Sequence, residues 1–349
     1  DNTMYKLTEK LRNLTPYDPI TGEYKIRLDA NESFLKLSDE EVKAAMTGLD
    51  LNRYPDPYAT EVIRAYADVY GINPALITAG NGSDELISII TACFLEKGDK
   101  VLCFTPDFSM YSFYPYLYEL DVEVMKKNED LTIDVDSAIE YANAKNVKCI
   151  MFSNPCNPTS VGLEKAEVIR LIKGVKALVV LDEAYMDFWG QENSLLKEIE
   201  QYDNVIILKT CSKELSMAGL RLGFAIGSPD ITRAMRAAKS PYNVNSLTQA
   251  LVAYALKDKT AVMGRIDAIK RSIKELYAEV TALNLPYVEK IYKPVTNFLF
   301  IKTDKAKEIY EFMLANSIAI RFMGEYIRIT CGTDEENKAV VEVLKKFGK

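Results

Sequence analysis

The sequence predicts an α/β protein, with one large unit built on a mostly parallel sheet covered by helices and a second, smaller α/β unit. Three observations carry that expectation. The chain has 349 residues, beyond the ~250–300 at which a single hydrophobic core stops growing, so two packed units are expected. From about residue 76, short β-rich runs alternate with amphipathic helical stretches, as in a parallel sheet with crossover helices. After a long helical stretch the alternation returns near the carboxyl end on a smaller scale.

In chain order, "MYKLTEKLRNLTPYDP" holds a short helical pattern that Pro16 and Pro19 end, and "KIRLDA" is extended. The runs "VLCF", "CIMF", "ALVVL" and "VIILK" are strands, separated by helices such as "DELISIITACFLEKG". Ser246 to Leu283 contains no proline and is expected to form one or two long helices. The tail segments "NFLFIKTD", "KEIYEFMLANS", "IAIRF" and "YIRITCGT" give strand, helix, strand and strand. The three residues ahead of Met4 are taken as foreign to the native start and left out of the functional reading.

Composition narrows the chemistry. Forty-three basic and 50 acidic residues give a net charge of −7 with no long basic run, which disfavours nucleic acid and membrane surfaces as partners. No apolar run approaches the ~18 residues of a membrane span and no leader pattern is evident, so a cytoplasmic protein is expected. Six scattered cysteines without C-x-x-C spacing are expected to be reduced and not to hold zinc. There is no histidine. Ser-His-Asp and Cys-His nucleophile systems, histidine bases and histidine-held metals are therefore excluded, leaving Lys, Tyr, Asp, Glu, Cys or a cofactor to act, with no metal expected.

In open α/β sheets ligands lie beyond the carboxyl ends of the strands. Here "CIMF" is followed by "SNPCNPTS", "ALVVL" by "DEAYMDF" and "VIILK" by "TCSKE". An amide, a carboxylate with a phenol, and an amine thus follow successive strands. A fourth element, "AGNGSDELISII", is a glycine-rich turn entering a helix at Ser83, whose free N–H groups and dipole suit a phosphate. Each element alone has an ordinary structural explanation as a cap, a turn or a surface charge; their joint occurrence at strand ends points to one shared site. Neither a G-x-x-x-x-G-K-[ST] loop nor an early G-x-G-x-x-G is present, which disfavours nucleoside triphosphates and nicotinamide cofactors.

The blocks "SNPCNPTS", "VVLDEAYMDF" and "TCSKELSMAGLRLGFAIG" resemble those of the fold-type I, pyridoxal-phosphate-dependent aminotransferases. The likeness extends over nearly the whole chain. "LTPYDP", "LDANES", "RYPDP", "GNGSDELI", "PDFSMY" and "YIRITCGT" resemble the branch of that family acting on histidinol phosphate. Two positions depart from it: Ser160 stands where glycine usually follows "NPT", and Phe108 where tyrosine is common.

The resemblance implies a seven-stranded, mostly parallel sheet in a large domain over residues 41–245. It also implies a small domain over 246–349, to which an amino-terminal arm, 1–40, contributes. Lys213 would join the aldehyde of pyridoxal 5'-phosphate as a Schiff base and later shuttle the proton, since an amine desolvated among cations has a lowered pKa. Asp182 would hold the pyridine nitrogen protonated, and Tyr185 and Asn157 would bond the ring oxygen. Arg221 would pair with the cofactor phosphate, with Thr210, Ser212 and the backbone of Gly82, Ser83 and Asp84. Phe108 would stack on the ring. Tyr54 would reach the phosphate from a second subunit, implying a homodimer. On the substrate side, Arg328 would receive the glutamate carboxylate and the phosphate of the other substrate, with Tyr17, Asn31 and Arg321 beside it. The expected reaction moves an amino group between L-histidinol phosphate and 2-oxoglutarate, in histidine biosynthesis. Aromatic aminotransferase and phospho-amino-acid decarboxylase activities share the same cofactor apparatus and remain the alternatives.

Overall fold

The structure is a computed structural model and describes residues 4–349; the residues ahead of Met4 lie outside the described part. The extended "KIRLDA" contributes β1 (Ile26–Arg27). The large sheet is made of β2 (Ile77–Gly80), β3 (Lys100–Thr105), β4 (Asp121–Lys126), β5 (Cys149–Ser153), β6 (Leu178–Asp182), β7 (Val205–Thr210) and β8 (Gly223–Ile226). Their spatial order is β2-β8-β7-β6-β5-β3-β4. Strands β3 to β7 pair in parallel, and β8 runs antiparallel between β7 and β2. The expected mostly parallel, seven-stranded sheet is thus present.

Side chains alternate across the pleat and give this sheet two dry faces. Ile150, Phe152, Val179, Leu181, Ile207 and Phe224 face one way, against Val62, Ile63 and Tyr66 of helix Thr60–Tyr70 and Val168 and Leu171 of helix Lys165–Gly174. Cys149, Met151, Val180, Ile206 and Leu208 face the other, against Leu86, Ile87 and Ile90 of helix Gly82–Cys93. All six cysteines are free thiols, five of them buried. Strand β4 is not among the strands expected from the sequence. Its residues "DVEVMK" form an edge strand that is mostly exposed, so no buried apolar run marks it. Asp121, Glu123 and Lys126 there discourage pairing with another chain.

Four antiparallel strands form the second sheet: β9 (Lys290–Ile291), β10 (Phe298–Lys302), β12 (Arg321–Met323) and β13 (Tyr326–Thr330), ordered β12-β13-β10-β9. Between them, β11 (Ile318–Ala319) pairs in parallel with β1, which carries the amino-terminal segment onto this unit. The proline-free stretch forms two helices, Ser246–Leu256 and Lys259–Ala282, the second capped by the Asp258 carboxylate, which accepts from the Ala261 N–H. The first of them was expected in the small unit, yet it buries Val252, Ala253, Ala255 and Leu256 in the core of the large sheet. The longer helix begins there with Val262 and Ile266 and ends among Phe298, Leu299 and Ile329 with Ile269, Ile273, Leu276 and Val280. Apolar packing therefore changes partners within this helix, not at residue 246.

Candidate active site

Parallel strands in register deliver their ends side by side. Ser153, Asp182 and Thr210 close β5, β6 and β7, and Ser153 lies directly across from Asp182. Beyond them lies a pocket of about 390 Å³. Ser83, Asp84, Phe108, Asn157, Asp182, Tyr185, Thr210, Ser212, Lys213 and Arg221, all singled out from the sequence, line it.

Lys213 stands three residues past the end of β7. Its Nζ donates to the carbonyl of Ala30 at 2.9 Å and lies 6.0 Å from the centre of the Tyr185 ring. Desolvation, followed by the positive charge of Arg328, lowers its pKa to about 8. The amine is therefore partly unprotonated near neutrality, the state that a nucleophile requires.

Asp182 forms the floor. Tyr111 Oη donates to its Oδ2 at 2.6 Å, and the Ala184 N–H to its Oδ1 at 3.1 Å. Burial pushes its pKa up to about 6. Tyr111 belongs to "PDFSMY" but has no role in the sequence expectations; its place three residues after Phe108, at the start of helix Met110–Leu117, was the available signal. Asp107 of the same block is also buried. It accepts from the Phe108 N–H at 2.7 Å and lies 3.5 Å from the Lys127 ammonium, a buried ion pair that nothing in the sequence announced.

At one end of the pocket, helix Gly82–Cys93 begins without a side-chain cap from Asn81. Gly82 has φ +77°, and a Cβ there would meet Arg221 Nη2 at 2.8 Å. A Cβ at Gly223 would meet the Ser83 nitrogen at 2.7 Å. The absence of side chains at these two glycines thus lets the guanidinium and the helix terminus close on one space. Arg221 is half exposed, 3.7 Å from the Asp84 carboxylate. Thr210 Oγ1 donates to Ser212 Oγ at 2.9 Å, which leaves the Ser212 hydroxyl proton free for a ligand.

The other end is set by β13. Arg328 is buried and donates to Asn157 Oδ1 and to the Asp29 carbonyl, both at 2.7 Å, while its Nε is buried without a partner. Burial lowers its pKa. Directly across the ladder stands Arg321, whose guanidinium carbon lies 6.0 Å from the Tyr17 ring centre. Like charges at opposed positions repel unless an anion sits between them. Asn31, at φ +56°, uses its whole carboxamide within the protein: Nδ2 donates to Tyr185 Oη and Oδ1 accepts from Thr330 Oγ1, each at 3.0 Å. Tyr185 Oη thus accepts from Asn31 and keeps its own proton to donate.

Arg321 instead lines a neighbouring depression with Asp18 and Tyr310, Tyr17 is exposed, and Tyr54 stands apart. It is 80% exposed and stacked on Tyr242 with ring centres 4.5 Å apart, outside the pocket lining. Ser160 adopts φ +62° with its hydroxyl buried and unpaired, so serine holds the left-handed turn usually given to glycine at a steric cost.

The donor set fits pyridoxal 5'-phosphate. A buried carboxylate that makes no salt bridge suits a protonated ring nitrogen, a phenol and a carboxamide suit a ring oxygen, an amine suits the aldehyde, and an uncapped helix start with Arg221 suits the phosphate. Fold and site together are those of an aminotransferase, and the chain belongs to the aminotransferase class I and II family, whose profile matches residues 23–344. Among its relatives are histidinol-phosphate aminotransferases. That of Clostridium novyi (strain NT) is 40% identical over 343 residues, covering 96% of this chain and 95% of the relative. That of Pyrococcus furiosus is 34% identical, covering 97% of each. In fold, the chain matches the crystal structure of histidinol-phosphate aminotransferase from Sinorhizobium meliloti in complex with pyridoxal-5'-phosphate. The TM-score is 0.87 at 22% identity, over 99% of this chain and 98% of the other.

Proposed function

We propose that this chain is a pyridoxal-phosphate-dependent aminotransferase that moves an amino group between L-histidinol phosphate and 2-oxoglutarate, giving imidazole acetol phosphate and glutamate. The observation that carries the substrate assignment is Arg328, opposed by Arg321 across the ladder, which bonds Asn157 at the edge of a pocket that already has a separate anion end at Arg221. One cationic end serves the cofactor phosphate. The other receives the carboxylate of glutamate or the phosphate of histidinol phosphate, with Tyr17 on the phosphate side.

When bound, the cofactor supplies an electron sink for charge developing at the substrate α-carbon. Lys213 Nζ attaches it and then carries the proton to and from that carbon. The Asp182 carboxylate holds the proton on the ring nitrogen. Tyr185 Oη and Asn157 Nδ2 would donate to the ring oxygen, since Asn31 donates to Tyr185 Oη and Arg328 to Asn157 Oδ1. Phe108 would pack on the ring face, and Ser212, Thr210, Arg221 and the Gly82–Asp84 backbone would hold the phosphate.

Tyr54 is exposed and outside the lining of its own pocket, which supports a role in the pocket of a second copy, the working unit being a homodimer. Among the described residues no helix is long and apolar enough to cross a membrane, and the reading places the enzyme in the cytoplasm. The domain division is that of the sequence reading, with the changeover moved into helix Lys259–Ala282.

Single-turnover absorbance spectra of the purified protein with histidinol phosphate, histidinol, glutamate, phenylalanine, tyrosine and O-phosphothreonine test cofactor and substrate together. Histidinol phosphate should outperform histidinol by at least about tenfold. Faster turnover of the aromatic amino acids, or decarboxylation of phosphothreonine, replaces the substrate assignment. Mixing inactive Lys213→Ala and Tyr54→Phe proteins under demonstrated subunit exchange should restore activity in hybrid dimers; activity held at parental level removes Tyr54 from the partner's site.

A further inference from the structure

We propose that Tyr111 is a positioning residue for Asp182, its phenol holding the carboxylate ionised and aimed at the ring nitrogen of the cofactor. The inference rests on the cofactor reading above and goes beyond the residues to which that reading gives a role.

The contact is short and dry. Tyr111 is 1% exposed and Asp182 6%. The 2.6 Å bond is in the range of a charge-assisted O–H···O⁻ contact. It occupies Oδ2, and the backbone N–H of Ala184 fixes Oδ1, so the two donors set the plane of the carboxylate. Tyr111 is itself held on the first turn of helix Met110–Leu117, its ring edge-on to Phe108 with centres 5.4 Å apart. The residue that would cover the ring and the residue that orients the acid thereby pack on each other.

The charges around Asp182 make this donor decisive. Asp107 and Asp84 both oppose its ionisation. Asp107 is balanced by Lys127 at 3.5 Å and Asp84 by Arg221 at 3.7 Å. Tyr185 lies near the carboxylate and the buried Cys156 thiol near Tyr111, and neither brings a positive charge. Burial alone drives the carboxyl upward, and the Tyr111 phenol is the largest influence that brings it back, leaving it at about 6. A carboxyl poised just below neutrality crosses it when one strong donor is lost, and once protonated it no longer draws a proton to the pyridine nitrogen.

The test is cofactor binding to the whole apoprotein as a function of pH, followed by absorbance. In the wild type, affinity should fall below about pH 6 as Asp182 protonates. In Tyr111→Phe that fall should move upward by about one to two pH units, with binding about 2- to 10-fold weaker at pH 7. In an Asp182→Asn background, where nothing ionises, Tyr111→Phe should change affinity less than about twofold. Isosteric Tyr111→3-fluorotyrosine, a stronger donor that keeps the packing, should shift the fall to lower pH and covers the case in which the phenylalanine variant misfolds. Coincident pH profiles for wild type and Tyr111→Phe, equal losses in both backgrounds, or a fluorotyrosine profile that does not move overturn the inference. A wild type that fails to bind the cofactor at any pH overturns the proposed function instead.

Discussion

Lys209 and Lys213 lie four residues apart at the end of one strand, and their surroundings give them opposite chemistry. Lys209 is fully buried, donating to the Glu183 carbonyl at 3.1 Å and to Asp187 Oδ2 at 3.2 Å. Burial works against its charge, but Asp187, Glu183 and Glu214 outweigh it and raise the pKa. Lys213, only partly buried, is also desolvated, yet its next strongest influence is the cation of Arg328, and its pKa falls to about 8. Desolvation is common to both; the sign of the neighbouring charge decides whether a lysine becomes a structural cation or a nucleophile.

The largest effect that tests this contrast is the loss of the reactive amine. Lys213→Ala should lower turnover by about 10³–10⁴-fold or more and abolish cofactor attachment by borohydride. Peptide mapping of the reduced wild type should find the cofactor on Lys213 and not on Lys209, and labelling at Lys209 would reverse the assignment. Removing the cation that distinguishes the two sites comes next. Arg328→Ala should cost about 30- to 3,000-fold in kcat/KM for histidinol phosphate and for glutamate, because the substrate anion loses its buried partner. It should also raise the Lys213 pKa. Arg321→Ala should weaken histidinol phosphate more than glutamate.

On the structural side, Lys209→Met leaves the buried Asp187 carboxylate without its partner and should destabilise the fold by about 3–5 kcal/mol in urea unfolding. Lys213→Ala, which removes a desolvated amine held among cations, should leave stability at pH 7 unchanged or higher. The smallest effect is in pH. Acylation of Lys213 in the apoprotein should reach half its maximal rate near pH 8. Because the folded pKa lies below the unfolded value of 10.5, the unfolded chain binds more protons between about pH 8 and 10.5. The amine's contribution is therefore a penalty fully present below pH 8, and the stability gap between wild type and Lys213→Ala should close as pH rises through that window. A gap that is flat in pH would mean that the amine is not desolvated.

Much of this site was legible because its parts sit at strand ends. Parallel strands place their carboxyl termini on one edge, so residues following "CIMF", "ALVVL" and "VIILK" were bound to meet, and the pocket contains Asn157, Asp182, Tyr185 and Lys213. The amino-terminal strap was legible only as a block of resemblance. That Asp29 and Ala30 offer carbonyls to Arg328 and Lys213 depends on β1 pairing with β11, some 290 residues away, which no local pattern encodes. Likewise "SLTQALVAYAL" shows a helix but not its partner, since an apolar helix face fits either core.

The order of strands and helices, the absence of histidine chemistry and the identity of the groups at the strand ends were determined by the sequence alone, because periodicity and residue type are local properties. Which lysine is reactive, which carboxylate Tyr111 holds, how Lys127 compensates Asp107 and why Arg321 faces Arg328 were decided only by tertiary structure. Each of these depends on distance and on the exclusion of water, and a chain acquires both only when segments remote in sequence close on one another.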